Sequence, residues 1–244
     1  MRISRACFLV LAVACGGGGG DGDDTGPIGS FDAPPVQAMF TISGTATSRN
    51  LGGSSPEAGV LVAAYAKTDE NTPIAMGTTD ASGVFMLTIT SNGTALDGFL
   101  KATKSGFTTS YLYPPRPVTA DLAMVPMNML TTGNFDTLYT LAAVSKTPNT
   151  GVIGLVVLSG PDFSSTPVEG AKITTDPSSP AYRYNSPQGL PTSQGTMTVA
   201  DGLAYAFNAP AGAISVSATK SGSTFKPTTL SVRADALTQT IVAP

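Results

Sequence analysis

From Phe40 onward the chain alternates apolar and polar residues in short runs, and turn residues separate the runs. In "AISVSAT", Ile214, Val216 and Ala218 alternate with Ser215, Ser217 and Thr219. A period of two predicts a strand with one face buried and one wet. In "GVFMLTI", Phe85, Leu87 and Ile89 share one face and Val84, Met86 and Thr88 the other, which predicts a strand covered on both sides. Asp201-Gly202 supplies a hairpin turn, and Asp80 to Gly83 a longer one. "FTISGTAT" (Phe40–Thr47) and "VIGLVVL" (Val152–Leu158) read as the opening strands of two halves. Many short strands at regular spacing predict an all-β protein built of sandwiches. One stretch breaks the period. Phe135, Leu138, Tyr139 and Ala142 recur at helical spacing, with Asn134 as cap, Lys146 for the last turn and Pro148 as a stop. A short helix is predicted there, packed against a sandwich.

The two halves repeat each other. "ATKSG" occurs at Ala102–Gly106 and again at Ala218–Gly222. "SPEAGVLVAAY" (Ser55–Tyr65) parallels "TPVEGAKITT" (Thr166–Thr175), and "TDASGVFML" (Thr79–Leu87) parallels "VADGLAYAF" (Val199–Phe207). The order of the elements is the same in both. P-x-x-G before an apolar strand, then T-D-x-x-G-x-F, then "ATKSGF", resembles the carboxypeptidase regulatory-like domain. In the first copy Pro56, Gly59, Thr79, Asp80, Gly83, Phe85 and Gly106 carry the resemblance. In the second, Pro167, Gly170, Asp201, Gly202, Phe207, Gly212 and Gly222 match more loosely, with "SPAYRYNSPQG" as an insertion. The resemblance implies two tandem seven-stranded transthyretin-like β-sandwiches, at residues 39–129 and 150–244, joined over residues 130–149 by a linker containing the helix. It implies accessory modules used for interaction or support. The matching residues are turn glycines, turn prolines and core apolars, so no functional residue carries over.

The N-terminal segment has a different pattern. Arg2 and Arg5 precede the apolar run Ala6–Ala14, which is too short to span a bilayer. Residues 1–14 read as a secretory signal peptide, with Ala12-Val13-Ala14 before the scissile bond. "LAVAC" resembles the bacterial lipobox, although Ala12 stands where that motif prefers Leu. The resemblance implies acylation of Cys15 and attachment to the membrane through the lipid. Gly16 after the cysteine implies the outer membrane, by analogy with lipoprotein sorting. Residues 15–38 read as a disordered Gly/Asp-rich tether. Asp21, Asp23, Thr25, Gly26 and Asp32 fall at calcium-loop spacing, but Thr25 and Asp32 depart from the preferred ligands, and an acidic linker is the reading adopted. No metal or cofactor is expected.

Composition narrows the chemistry. The net charge is −3, and removal of Arg2 and Arg5 with the signal peptide makes the mature chain more acidic. There is no basic stripe, so nucleic acid is not an expected partner. Histidine is absent, which excludes Ser-His-Asp and Cys-His catalysis and every His-ligated metal site. Ser217 and Lys220 spell S-x-x-K, but on a strand their odd separation puts them on opposite faces. Asp69 and Glu70 diverge in a polar loop, and Asp121 and Asp235 recur near the ends of the two copies as turn or edge residues. The opening strands contain no Lys, which argues against an intramolecular isopeptide bond. Aromatic pairs remain as ligand candidates: Tyr111 and Tyr113 in "SYLYPPRP", and Tyr182 and Tyr184 in "AYRYN". Each pair shares a strand face and is suited to stacking on sugar rings or receiving a peptide. The expectation is a lipid-anchored, non-enzymatic exported protein with a protein or glycan partner at the cell surface; the alternative is a carbohydrate-binding module using exposed tyrosine pairs.

Overall fold

The structure is a computed structural model that describes residues 35–50 and 53–244. The signal peptide, Cys15 and the calcium-like spacing lie outside the described residues. Pro35–Pro244 forms one compact unit.

Seventeen strands and one helix follow one another. The first half contributes β1 (Met39–Asn50), β2 (Gly53–Pro56), β3 (Leu61–Ala66), β4 (Ala75–Thr78), β5 (Val84–Thr90), β6 (Gly98–Thr103), β7 (Ser110–Tyr113) and β8 (Leu122–Met129). Helix α1 (Thr132–Leu141) comes next. The second half contributes β9 (Thr150–Val157), β10 (Lys172–Asp176), β11 (Ala181–Asn185), β12 (Pro191–Thr192), β13 (Leu203–Pro210), β14 (Gly212–Lys220), β15 (Ser223–Thr224), β16 (Thr228–Val232) and β17 (Leu237–Val242). The all-β, sandwich-like architecture expected from the period-two pattern is observed.

Four strand pairings recur in both halves. In the first, β1 pairs with β5 antiparallel and with β8 parallel, while β6 pairs antiparallel with β3 and β7. In the second, β9 pairs with β13 antiparallel and with β17 parallel, while β14 pairs antiparallel with β10 and β16. The turn motifs explain this correspondence. Thr79 Oγ1 accepts from the Val60 N–H at 2.9 Å and donates to the Glu57 carbonyl at 2.7 Å. Thr198 Oγ1 accepts from the Ala171 N–H at 2.9 Å and donates to the Val168 carbonyl at 2.7 Å. Each threonine thus satisfies two backbone groups of the P-x-x-G turn. Gly83 and Gly202 close the same structure at φ 73° and 66°, with a carbonyl oxygen 2.6 and 2.7 Å from where a Cβ would stand. No L side chain fits there.

The halves are joined by more than the helical connection. Strand β17 lies between β9 and β7 and pairs with both in parallel, so one nine-stranded sheet runs β12-β11-β13-β9-β17-β7-β6-β3-β4 through both halves. The remaining strands form two four-stranded sheets, one in which β1 pairs with β2, β5 and β8 and one in which β14 pairs with β10, β15 and β16. These cover opposite faces of the long sheet. Tyr111, Thr238 and Ile153 stand in one row across it, and Leu112, Gln239 and Gly154 in the next. Side chains in successive rows point to opposite faces. Leu112 accordingly joins the first-half core with Phe40, Ile42, Phe85 and Leu87, whereas Tyr111 and Ile153 join the second-half core with Ile214, Val216 and Leu230.

Two local expectations change. Strand β5 buries only Phe85, Leu87 and Ile89; Met86 is 69% exposed, because nothing lies over the outer face of its sheet. The helix is present, but its cap is Thr131, whose hydroxyl accepts from the Asn134 N–H at 3.1 Å. Lys146 lies beyond the last turn and pairs with Asp235 at 2.9 Å.

Candidate functional site

Helix α1 covers part of the long sheet on the face turned away from β10, β14 and β16. Phe135, Tyr139 and Ala142 pack there on Val152, Phe207 and Leu237. Beside the helix the same face stays open as a groove of about 490 Å³. Gly154, Val156, Tyr205 and Ile241 form its floor, Leu138 and Leu141 its helical wall, and Phe163 and Pro167 the opposite side. Towards the first half it is bounded by Arg49 and Asn128.

Side-chain amides fix that boundary. The Gln239 side chain, 7% exposed, accepts from the Asn128 N–H at 3.2 Å and donates to the Asn128 carbonyl at 2.9 Å. It also accepts from Asn128 Nδ2 at 2.9 Å. One side chain of the long sheet thereby satisfies the free backbone edge of β8. Arg49 Nε donates to Asn128 Oδ1 at 2.8 Å, and Asn134 Nδ2 donates to the Arg49 carbonyl at 3.0 Å. The tyrosine on the floor holds its proton tightly. Loss of water around the Tyr205 hydroxyl, reinforced by the Asp201 carboxylate, pushes it up to about 12 against the opposing pull of Arg49. Tyr205 is therefore a neutral hydroxyl, able to donate, at any physiological pH.

The four tyrosines singled out from the sequence are placed elsewhere. Tyr111 and Tyr113 are 8% and 1% exposed and face the second-half core, not solvent. Together with Phe99 they surround Arg233, whose guanidinium lies 3.9 Å from the Tyr111 ring centre and 4.7 Å from that of Phe99. Arg233 Nη1 donates to Tyr113 Oη at 3.1 Å, and Nη2 stands 2.7 Å from Glu70 Oε2, off the line of a hydrogen bond. Burial pushes both tyrosine hydroxyls up. Tyr184 is 4% exposed and accepts from the Ile173 N–H at 3.0 Å. Tyr182 is half-buried, its hydroxyl engaged with Thr175, Ser178 and Ser179. The expectation of exposed pairs is corrected: Tyr111, Tyr113 and Tyr184 are buried in the second-half core, and Tyr182 is half-buried against it. Alternation put each pair on one face but could not say which face was covered. The groove, conversely, has no sequence signal except Gly154, an unexplained glycine inside an apolar strand.

The acids take structural roles. Asp121 Oδ1 accepts from the Thr41 N–H at 2.7 Å, and Asp235 turns the chain at φ 55°. Among the described residues no three His, Cys, Asp or Glu side chains gather as metal ligands. Among the same residues, no helix is long and apolar enough to cross a membrane.

No protein-family model and no curated protein sequence matches the chain. The structure is similar to solved bacterial proteins at low identity. The TIE protein of Bacillus anthracis is 14% identical over 84% of this chain and 34% of its own, with a TM-score of 0.28. The shaft pilin SpaA of Lactobacillus rhamnosus GG is 14% identical over 84% of this chain and 98% of its own, with a TM-score of 0.25. The minor pilin GBS52 of Streptococcus agalactiae is 11% identical over 84% and 94%, with a TM-score of 0.27. The chain thus spans about a third of the TIE protein and nearly all of the two pilins. Superpositions this loose carry no argument about activity or partners, and the likeness to the carboxypeptidase regulatory-like domain stays a resemblance of turn motifs.

Proposed function

We propose that the protein is a lipid-anchored, non-enzymatic component of the cell envelope that serves as a stiff interaction or structural body. The observation that carries this reading is the nine-stranded sheet shared by two halves that have four strand pairings in common. Its seam is locked on both faces, by Arg233 with Glu70 and Tyr113 on one and by Gln239 with Asn128 on the other. Such a seam suppresses the hinge motion expected between domains joined by a linker alone. The tyrosines and acids considered for chemistry serve packing, edges and turns. The N-terminal pattern adds export, acylation of Cys15 and the outer membrane, with a protein partner at the surface.

The test uses the full chain expressed in a Gram-negative host. Mass spectrometry of the mature N-terminal peptide is expected to find Cys15 carrying a diacylglycerol thioether, and Cys15→Ser is expected to leave the membrane fraction. Crosslinking on intact cells then identifies the neighbour. An unmodified Cys15, or a Cys15→Ser protein still held in the membrane fraction, would refute anchoring.

A further inference from the structure

We propose that the groove beside α1 is a binding site for a single-chain amphiphile, an apolar body with one carboxylate head, the body lying over Gly154 and the head at Arg49. Three observations carry it, none of which depends on membrane anchoring.

The cavity is built into a position where the fold does not demand it. Gly154 sits inside β9, near the middle of the long sheet, where a glycine costs about 0.5–1 kcal/mol relative to alanine. Its backbone is not in the left-handed region. A Cβ there would meet only Leu237 at 3.5 Å and Tyr205 at 3.8 Å, ordinary contacts. Gly44 and Gly98 are different, since a Cβ on either would stand 2.1 Å from a carbonyl oxygen. What Gly154 provides is a low point in the floor between the side chains of Leu237 and Tyr205. At about 490 Å³ the groove falls among cavities that hold small organic ligands.

The walls favour an alkyl body over a peptide. The floor is a sheet face and one wall is a helix, and the backbone groups of both are spent within those elements. A peptide would bring its own amides to a lining whose polar side chains at Asn128, Asn134, Thr137, Gln239 and Thr240 are already engaged. An alkyl chain brings none.

The charge is one-sided. Among the described residues that line the groove, Arg49 is the only Arg or Lys and there is no Asp or Glu. Among the described residues Arg49 takes part in no ion pair; its Nε is fixed on Asn128. A guanidinium held in this way suits the two oxygens of a carboxylate.

The probe is laurate, titrated into the mature chain by calorimetry below its micelle concentration, with lauryl alcohol as the uncharged counterpart. Saturable one-to-one laurate binding is expected. Arg49→Gln should weaken laurate by about tenfold and leave lauryl alcohol unchanged. Gly154→Leu fills the floor and should abolish binding of both. Urea midpoints check that each variant folds; should Gly154→Leu fail, Leu141→Trp on the helical wall blocks the same space. Three results overturn the proposal: no binding of laurate to the unmodified chain, binding indifferent to both blocking variants, or a Leu-rich peptide bound in a Gly154→Leu-sensitive manner where laurate is not.

Discussion

Replacing Thr79 or Thr198 by valine tests whether two matching turns sit in one cooperative body. The substitution keeps the shape and removes only the hydroxyl. In Thr79→Val the Val60 N–H and the Glu57 carbonyl lose their partner; in Thr198→Val the Ala171 N–H and the Val168 carbonyl do. Val60 and Ala171 are fully buried, so water cannot replace the lost bond at the N–H. Leaving such a donor unsatisfied costs roughly 1–3 kcal/mol. A middle value of about 2 kcal/mol, with a urea slope of about 3 kcal/mol/M, lowers the midpoint by about 0.7 M. Because the hydrogen-bond lengths are the same in the two copies, the two variants should lose similar amounts. Because β17 ties the halves into one sheet, each should shift a single transition, seen alike by far-ultraviolet dichroism and tyrosine fluorescence. Two separated transitions, with each variant moving only one, would refute the claim that the seam makes the halves unfold together. A shift under about 0.2 M in both would refute the account of the threonines.

Gly202→Ala should destabilise by more than about 1 kcal/mol, since φ is positive and the Val157 carbonyl stands 2.7 Å from the new Cβ, whereas Gly154→Ala should be neutral or stabilising by up to about 1 kcal/mol; thermal melts of the pair separate the two. Arg233→Met keeps the bulk but removes the guanidinium from Tyr113 and Glu70, and should cost about 1–3 kcal/mol while speeding proteolysis at the seam; a protease sensitivity equal to that of the unmodified chain would argue against a lock. Thr131→Ala should cost about 1 kcal/mol through loss of the helix cap, read as a lower urea midpoint. Tyr205 retains its proton in the folded chain up to about pH 12 but releases it near 10.0 when unfolded, so its contribution is complete below pH 10 and is lost as pH rises from there through about 12. The loss is on the order of 3 kcal/mol, and Tyr205→Phe should blunt it in urea melts taken across that window.

Period-two alternation was enough to place β5 and β14 as strands and to choose the buried face of β14; in β5 the apolar Val84 and Met86 suggested cover on a face that is exposed. The repeat was legible through Pro56, Gly59 and Gly83 and their counterparts Pro167, Gly170 and Gly202, since a turn constrains its own residues. Thr198 could not be matched to Thr79 because the alignment was anchored on Asp201, two positions later in register than the threonine pin requires. The pairing of β7 with β17 could not be read, because nothing in "SYLY" or "LTQTIV" states which distant edge it meets. For the same reason the tyrosines looked free: their cover, including Arg233, comes from far along the chain. The groove was hidden because a cavity is defined by what does not fill it.

The bond from Thr240 Oγ1 to the Tyr113 carbonyl joins residues separated by 127 positions. During synthesis, β7 must therefore wait with one rim bare until β17 arrives. Closure across so long a loop is slow, and crowded nascent molecules offer the same complementary ribbon to one another. Refolding at high concentration should consequently yield interlocked dimers in which each β17 is lent to a neighbour, separable by size from the monomer and dissolving only when the chain unfolds.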